Sequence, residues 1–337
     1  MMRMLVRRLL ATPMLLLGIV TLSFLLSRAV PADPLVSIIG ERQLGDPEAV
    51  ASARARWGLD RSIPEQYAIY VANLVRGDLG TSIRTKRPVA RDLMDRLPAT
   101  LELTLAAMAI GVSAGLALGV LSARFKDRAA DHLARAFALI GSSVPIFWSG
   151  LILLHLASVR LGWVSGAGRL DARLSPPPEV TGFHLLDALI ARDVTVLADA
   201  LEHLALPAIV LGWAVVGIIS RLVRASMLDV MGQDFILMAR AKGASEMRVL
   251  THHALRNALL PALTVIGFSF AYLITGAVLT ETVFAWPGIG SYAVASARAL
   301  DYPAIMGVTL IAGLAFILAN LLTDLSYLLA NPRIRAA

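Results

Sequence analysis

The sequence predicts an all-α polytopic membrane protein with six transmembrane helices and an extracytoplasmic helical region after the first. Three observations lead there. The chain is 57% hydrophobic and only 16% charged, with a mean hydropathy of +0.70, which no water-soluble globular domain of 337 residues matches. Long apolar runs recur six times, and at ~1.5 Å per residue a run of about 18 or more crosses a hydrocarbon core of about 30 Å. The net charge of +7 is carried by basic residues that sit beside those runs. That distribution reads as a membrane topology signal rather than a nucleic-acid surface. Runs of this length do not alternate as the strands of a barrel would. Cysteine is absent, which excludes disulfides, thiolate metal sites and a cysteine nucleophile.

Residues 1–30 read as a cytoplasmic N-terminus and the first span. Arg3, Arg7 and Arg8 precede an apolar run from Leu9 to about Leu26. A secretory signal is the competing reading, but the apolar core is long for one and Pro31 sits badly for cleavage. Residues 31–98 form a polar segment with ten Lys+Arg, read as the extracytoplasmic helical region. Its clearest helix starts at Pro64, a favoured first helical position, and places Ile63, Tyr67, Tyr70, Val71 and Leu74 on one face. Gly77-Asp78-Leu79-Gly80 ends it. Residues 99–330 hold five further spans. Span two runs from about Ala99 to Ala123 with glycines at 111, 115 and 119, a four-residue repeat that lets helix backbones approach. Span three covers about Phe137 to Val159 and is broken by Pro145. Span four covers Leu204 to Val223, span five Leu259 to Val283, and span six Ala304 to Leu329. Residues 331–337 are a short tail.

Orientation follows from the basic residues. With the N-terminus inside, the cytoplasmic segments hold 15 Lys+Arg, against 4 and 1 in the outer loops after spans three and five. The 68-residue segment 31–98 exceeds the length over which charge reports topology. Both termini are expected in the cytoplasm, and so is the polar stretch Asp234–Pro261.

That stretch reads as two short helices joined at a glycine. Asp234 is expected to cap a helix running to Lys242, and Gly243 stands where a left-handed C-terminal cap belongs. Ser245 caps a second helix with Glu246 in its first turn. There Met247, Leu250, Ala254 and Ala258 share one face, and Arg248, His252 and Arg256 form a cationic stripe on another. A basic, partly helical cytoplasmic loop is the bland reading; a helical hairpin held between two spans is also suited to docking.

The runs ARAKG at Ala239–Gly243 and HALRNALLP at His253–Pro261 resemble the EAA loop of bacterial ABC importer permeases, in the variant of the dipeptide/oligopeptide (nickel) importer family. The glutamate that names the loop elsewhere is absent, and Gly243 lies 18 residues before Pro261, a longer gap than in other importers. ETVFAWPGIG (Glu281–Gly290), Asp301-Tyr302-Pro303, HLALPAI (His203–Ile209), the string from Gln66 to Leu103 and the closing NPRIR extend the resemblance over nearly the whole chain, with Asn331 in place of a usual acid. The resemblance implies a type I ABC importer permease fold in the bacterial inner membrane. It implies a second homologous permease subunit, two cytoplasmic ATPase subunits carrying ATP and Mg, and an extracytoplasmic solute-binding protein that delivers peptides. It also implies that Ala239, Arg240, Ala241, Lys242, Gly243 and Glu246 meet the ATPase groove, with membrane lipid as a weaker partner for Arg240 and Lys242.

No catalytic set stands beside this reading. His132, His155, His184, His203, His252 and His253 show no ligand-like spacing, and the sequence has neither a P-loop nor a nucleophile elbow. The chain is expected to be no enzyme and to bind no cofactor or nucleic acid. Glu281 and Asp324 are the acids nearest the apolar spans. Glu281 fits an interfacial turn beside Trp286, and Asp324 fits pairing near a span end. An intramembrane enzyme would need paired acids or a Ser/Lys pair at one depth. An ion-coupled secondary transporter would need charge at midspan, where the sequence holds almost none. No substrate-path residue is assigned.

Overall fold

A computed structural model describes residues 2–29, 35–40, 44–164 and 166–330. The described residues are mostly helical, with one isolated bridge, Thr81 to Pro88, and no strand. The closing NPRIR lies outside them. Five helices are long and apolar enough to span a membrane, and a sixth candidate is a bent pair. The chain divides into two compact units, one of Ala99–Trp286 with Phe316–Ala337 and one of Met2–Pro98 with Pro287–Ala315.

The first span is α1 (Met2–Ala29), whose apolar part is Leu10–Ala29. Short helices α2 (Leu35–Ile39), α3 (Pro47–Trp57) and α4 (Ile63–Val75) follow. Asp46 caps α3 by accepting from the Glu48 amide, and Gly58 ends it in the left-handed region at φ 64°. On α4 the expected face is only half-buried and Ile63 is exposed. Phe24 of α1 packs edge-on against Tyr67 of α4. Val89, Leu93, Ile289, Tyr292 and Ala304 form the small core of this unit. Asp301, fully buried, accepts from Ser82 Oγ and from the Arg84 amide at 3.1 Å.

The second span is longer than the sequence suggests. Helix α5 (Val89–Arg124) starts ten residues before Ala99 and runs through Pro98. Helix α9 (Val194–Met231) likewise starts ahead of Leu204, capped by Asp193, which accepts from the Val196 amide at 3.0 Å. Apolar periodicity marks only the part of a helix that lipid or core covers, so polar overhangs escape it. Span three departs further. Helices α6 (Ala129–Ser143) and α7 (Ile146–Leu154), the latter extended by a π-helical turn to Arg160, meet at 103°. Pro145 has no amide to donate, and Val144 before it takes an extended conformation at φ −80° and ψ 132°, which breaks the helix.

Helix α8 (His184–Ala191) follows the loop after this pair. Span five comprises a π-helical turn, Val249–Leu255, then α12 (Arg256–Gly276) and a short α13 (Val278–Val283). Helix α14 (Ile289–Arg298) precedes span six, α15 (Tyr302–Ala330).

The larger unit is built on a seam between α5 and α9. A Cβ added at Gly111 would lie 2.7 Å from Val215 Cβ, at Gly115 2.9 Å from Ile219 Cβ, and at Gly119 2.7 Å from Val223 Cβ. None of these distances is tolerated by real side chains, so the glycine repeat sets the interhelical distance. Leu211, Val215, Ile219, Val223 and Met227 of α9 are all buried to 1% exposure or less and form the spine of the main core.

Candidate functional site

Helix α10 (Asp234–Ala241) opens the candidate loop. Gln233, not Asp234, occupies the cap position, and its side chain makes no cap bond. Asp234 is instead the first helical residue, where its charge still favours the positive helix end. The glycine reading holds. Gly243 has φ 80°, its N–H donates to Arg240 O at 2.9 Å, and the Ala244 N–H donates to Ala239 O at 3.1 Å. This is the paired bonding of a Schellman cap. No heavy atom lies within 4 Å of a Cβ built there. Glycine is therefore required by backbone conformation and not by space. Ser245 accepts from the Arg248 amide at 3.4 Å and starts α11 (Glu246–Arg248).

The loop has two unlike faces. Ile236, Val249, Leu250, Ala254 and Ala258 are buried to 2% or less and belong to the same core as Val223, Met227 and Val230 of α9. The other face is bare. Leu237, Met238 and Met247 are 61%, 59% and 60% exposed, among the exposed Arg248, His252 and Arg256. Met247 thus corrects the expected packing face, and Val249 takes its place. Right after Arg248 the backbone adopts the wider π turn, so the 3.6-residue wheel loses register.

Of the residues expected at the ATPase groove, Ala239 and Arg240 are half-buried, while Ala241, Lys242, Gly243 and Glu246 are exposed. The fold brings two of them together. Arg240 donates to Glu246 through Nε at 2.8 Å and Nη2 at 3.3 Å, a two-pronged clasp across the glycine turn. Lys242 is not part of that clasp.

A second cluster ties the same end of the unit together. Asp131, fully buried, accepts from Arg224 Nε at 2.8 Å and Nη2 at 2.7 Å, from the Asp127 amide at 2.9 Å and from Ser122 Oγ. Arg135 adds an ion pair at 3.2 Å. One carboxylate thereby joins α5, α6 and α9. Sequence reasoning missed it, although an acid in the first turn of a helix inside a basic segment, four residues before an arginine, was a usable signal.

Polar groups at the opposite ends of α5 and α9 are also buried. Glu281, read as part of a turn beside Trp286, is fully buried there and accepts from Thr100 Oγ1 at 2.6 Å. The Trp286 indole N–H donates to Ala99 O at 2.8 Å, which draws the turn over the acid. Glu102 pairs with Arg169 and accepts from the Leu185 amide at 2.9 Å. Burial, then the Arg169 charge, lowers the His184 pKa. Burial raises the Asp187 carboxyl, but hydrogen bonds from Thr181 and Gly182 outweigh it and the net shift is downward. Asp324 is half-buried within α15.

Among the described residues, no group of three or more His, Cys, Asp or Glu is arranged to hold a metal ion. What remains is the Asp234–Pro261 loop, which packs inward by one face and leaves an apolar and cationic face uncovered.

The sequence comparisons agree with this architecture. Residues 115–336 match the family described as binding-protein-dependent transport system inner membrane component, and residues 1–104 match its N-terminal companion. The chain is 44% identical over 317 residues to the probable D,D-dipeptide transport system permease protein DdpB of Escherichia coli (strain K12), covering 94% of this chain and 93% of the relative. It is 45% identical over 318 residues to the di/tripeptide transport system permease protein DppB of Pseudomonas aeruginosa (strain UCBPP-PA14), covering 94% of each. The glutathione transport system permease protein GsiC of Escherichia coli O6:H1 is 36% identical over 330 residues, covering 98% of each. The chain belongs to the binding-protein-dependent ABC transport permeases of the inner membrane, in their dipeptide permease branch.

Proposed function

We propose that the chain moves short peptides inward across the inner membrane, and that Asp234–Pro261 is the element through which ATPase subunits drive it. The names of the relatives support the peptide class, since they are called D,D-dipeptide, di/tripeptide and glutathione permeases. The observation that carries the coupling role is the two-faced loop. Its inner residues share a core with α9, so a push on the loop moves the longest span, and its outer face exposes Leu237, Met238 and Met247 beside cations. Exposed apolar side chains rimmed by charge suit a protein partner.

The assembly comprises this chain, a second homologous permease, two cytoplasmic ATPase subunits that hold ATP and Mg, and an extracytoplasmic binding protein. Both termini and the loop face the cytoplasm, and residues 31–98 face outward. The excess of Lys+Arg in the segments on the loop's side supports that orientation. The chain itself is no enzyme. Reversing a 1:99 population of the two states needs about 5.5 kcal/mol of differential binding, supplied by ATP on the partner subunits. The test is uptake of a radiolabelled dipeptide by vesicles holding the reconstituted complex. Uptake that needs binding protein outside and hydrolysable ATP inside is the expected result. Uptake driven by an ion gradient without ATP would overturn it.

A further inference from the structure

A cavity of about 310 Å³ lies where α1, α3, α4 and α15 meet, with Arg28, Arg61, Gln66, Tyr70 and Asn73 among its lining. It is cationic: two arginines reach it, and among the described residues no Asp or Glu lines it. Arg61 is shared with Glu65 at 3.8 Å, but among the described residues Arg28 has no such partner and stacks instead over the Phe24 ring at 5.4 Å. Among the described residues Arg28 Nε is buried without a hydrogen-bond partner, while Gln66 Nε2 donates to Arg61 O at 2.8 Å. Arg28 is half-buried, and its Nε–H is left without an acceptor, a cost that an anionic oxygen filling the cavity removes. At ~30 Å³ per water molecule, the volume equals about ten waters, which is room for a phosphate and its attached glycerol.

We infer that this cavity is a binding site for the phosphodiester of an anionic phospholipid, held by Arg28 with Tyr70 and Asn73 on the facing wall. Depth and surroundings select a lipid over a soluble anion. Arg28 stands at the end of the apolar span Leu10–Ala29, at the level where acyl chains give way to headgroups. Leu22, Leu25 and Leu26 of the same helix are 60%, 52% and 58% exposed and offer an acyl chain a path toward it. Phe24, Ile69 and Met306 make the rest of the wall apolar, which suits a headgroup with its glycerol better than a hydrated ion.

The test is native mass spectrometry of the full-length chain in its assembled, delipidated complex, titrated with phosphatidylglycerol, phosphatidylethanolamine or inorganic phosphate. Phosphatidylglycerol should bind saturably in the unaltered protein, with phosphatidylethanolamine weaker. Arg28→Gln should weaken phosphatidylglycerol by tenfold or more, and Arg28→Lys should restore most of it. Asn73→Leu, which fills the cavity without removing charge, should weaken it as well. Equal lipid binding by Arg28→Gln and the unaltered protein would overturn the proposal. So would competition by millimolar inorganic phosphate, which would mark the site as one for a free anion. If Arg28→Gln does not assemble, Asn73→Leu decides, and unchanged lipid binding there overturns it.

Discussion

Two glycine-bearing regions of this chain use the same residue for opposite reasons. At Gly111, Gly115 and Gly119 the backbone is ordinary helix and the space is missing, because α9 lies against it. At Gly243 the space is open and the backbone is unusual, with φ 80° and nothing within 4 Å of an added Cβ. The seam therefore tolerates no volume, whereas the loop tolerates volume but few conformations. A seam built this way holds two helices at close approach, and a loop built this way is sharply turned yet uncovered. That is the division of labour a permease driven from outside its own chain requires.

The largest effect should come from breaking the seam. Gly115→Val places branched carbons where one Cβ already falls 2.9 Å from Ile219 Cβ, and should cost about 3 kcal/mol or more, at the upper end for overpacking. Folded protein recovered in detergent should fall sharply, with Gly115→Ala intermediate. Wild-type recovery of the valine variant would mean that α5 and α9 can part.

Next in size is Asp131→Asn, which leaves Arg224 and Arg135 without their shared carboxylate. With Asp131 fully buried and Arg224 only 19% exposed, the loss should be about 2–3 kcal/mol, below the full cost of a fully buried pair. A drop in thermal midpoint checks it, and a double-mutant cycle with Arg224→Ala should return a coupling of similar size.

Smaller again is Gly243→Ala, at about 1 kcal/mol for a non-glycine residue in the left-handed region, with Gly243→Asn milder because asparagine tolerates that conformation. Proteolysis at the loop would report the difference. The contrast with the seam is sharpest in asparagine itself, which should be accepted at 243 and rejected at 115. Smallest is Arg240→Ala. Its clasp with Glu246 is exposed and should leave the thermal midpoint unchanged.

Features that depend on a few neighbouring residues were legible in the sequence. The Gly243 cap, the Ser245 cap and the break at Pro145 each follow from the conformational limits of one residue. The 103° angle at that break was not, because packing against distant helices sets it. Met247 was misplaced since nothing local announces a π turn. The partner of Glu281 was not legible because Thr100 is 181 residues away, and the Asp131–Arg224 pair joins residues 93 apart. Periodicity carries the apolar faces of spans, whereas the buried polar contacts that join those spans are relations between faces and leave no periodic trace.

The central claim is that the uncovered face of Asp234–Pro261 is covered by an ATPase subunit in the working complex. Ala241 is exposed at the end of α10, so Ala241→Glu should leave the isolated chain folded. The most direct measurement is dipeptide uptake and binding-protein-stimulated ATP hydrolysis in reconstituted complexes carrying that substitution. The account predicts that both fall together, tenfold or more, while the permease keeps its thermal midpoint. Unchanged uptake and hydrolysis would contradict it and leave the loop a connector between two spans.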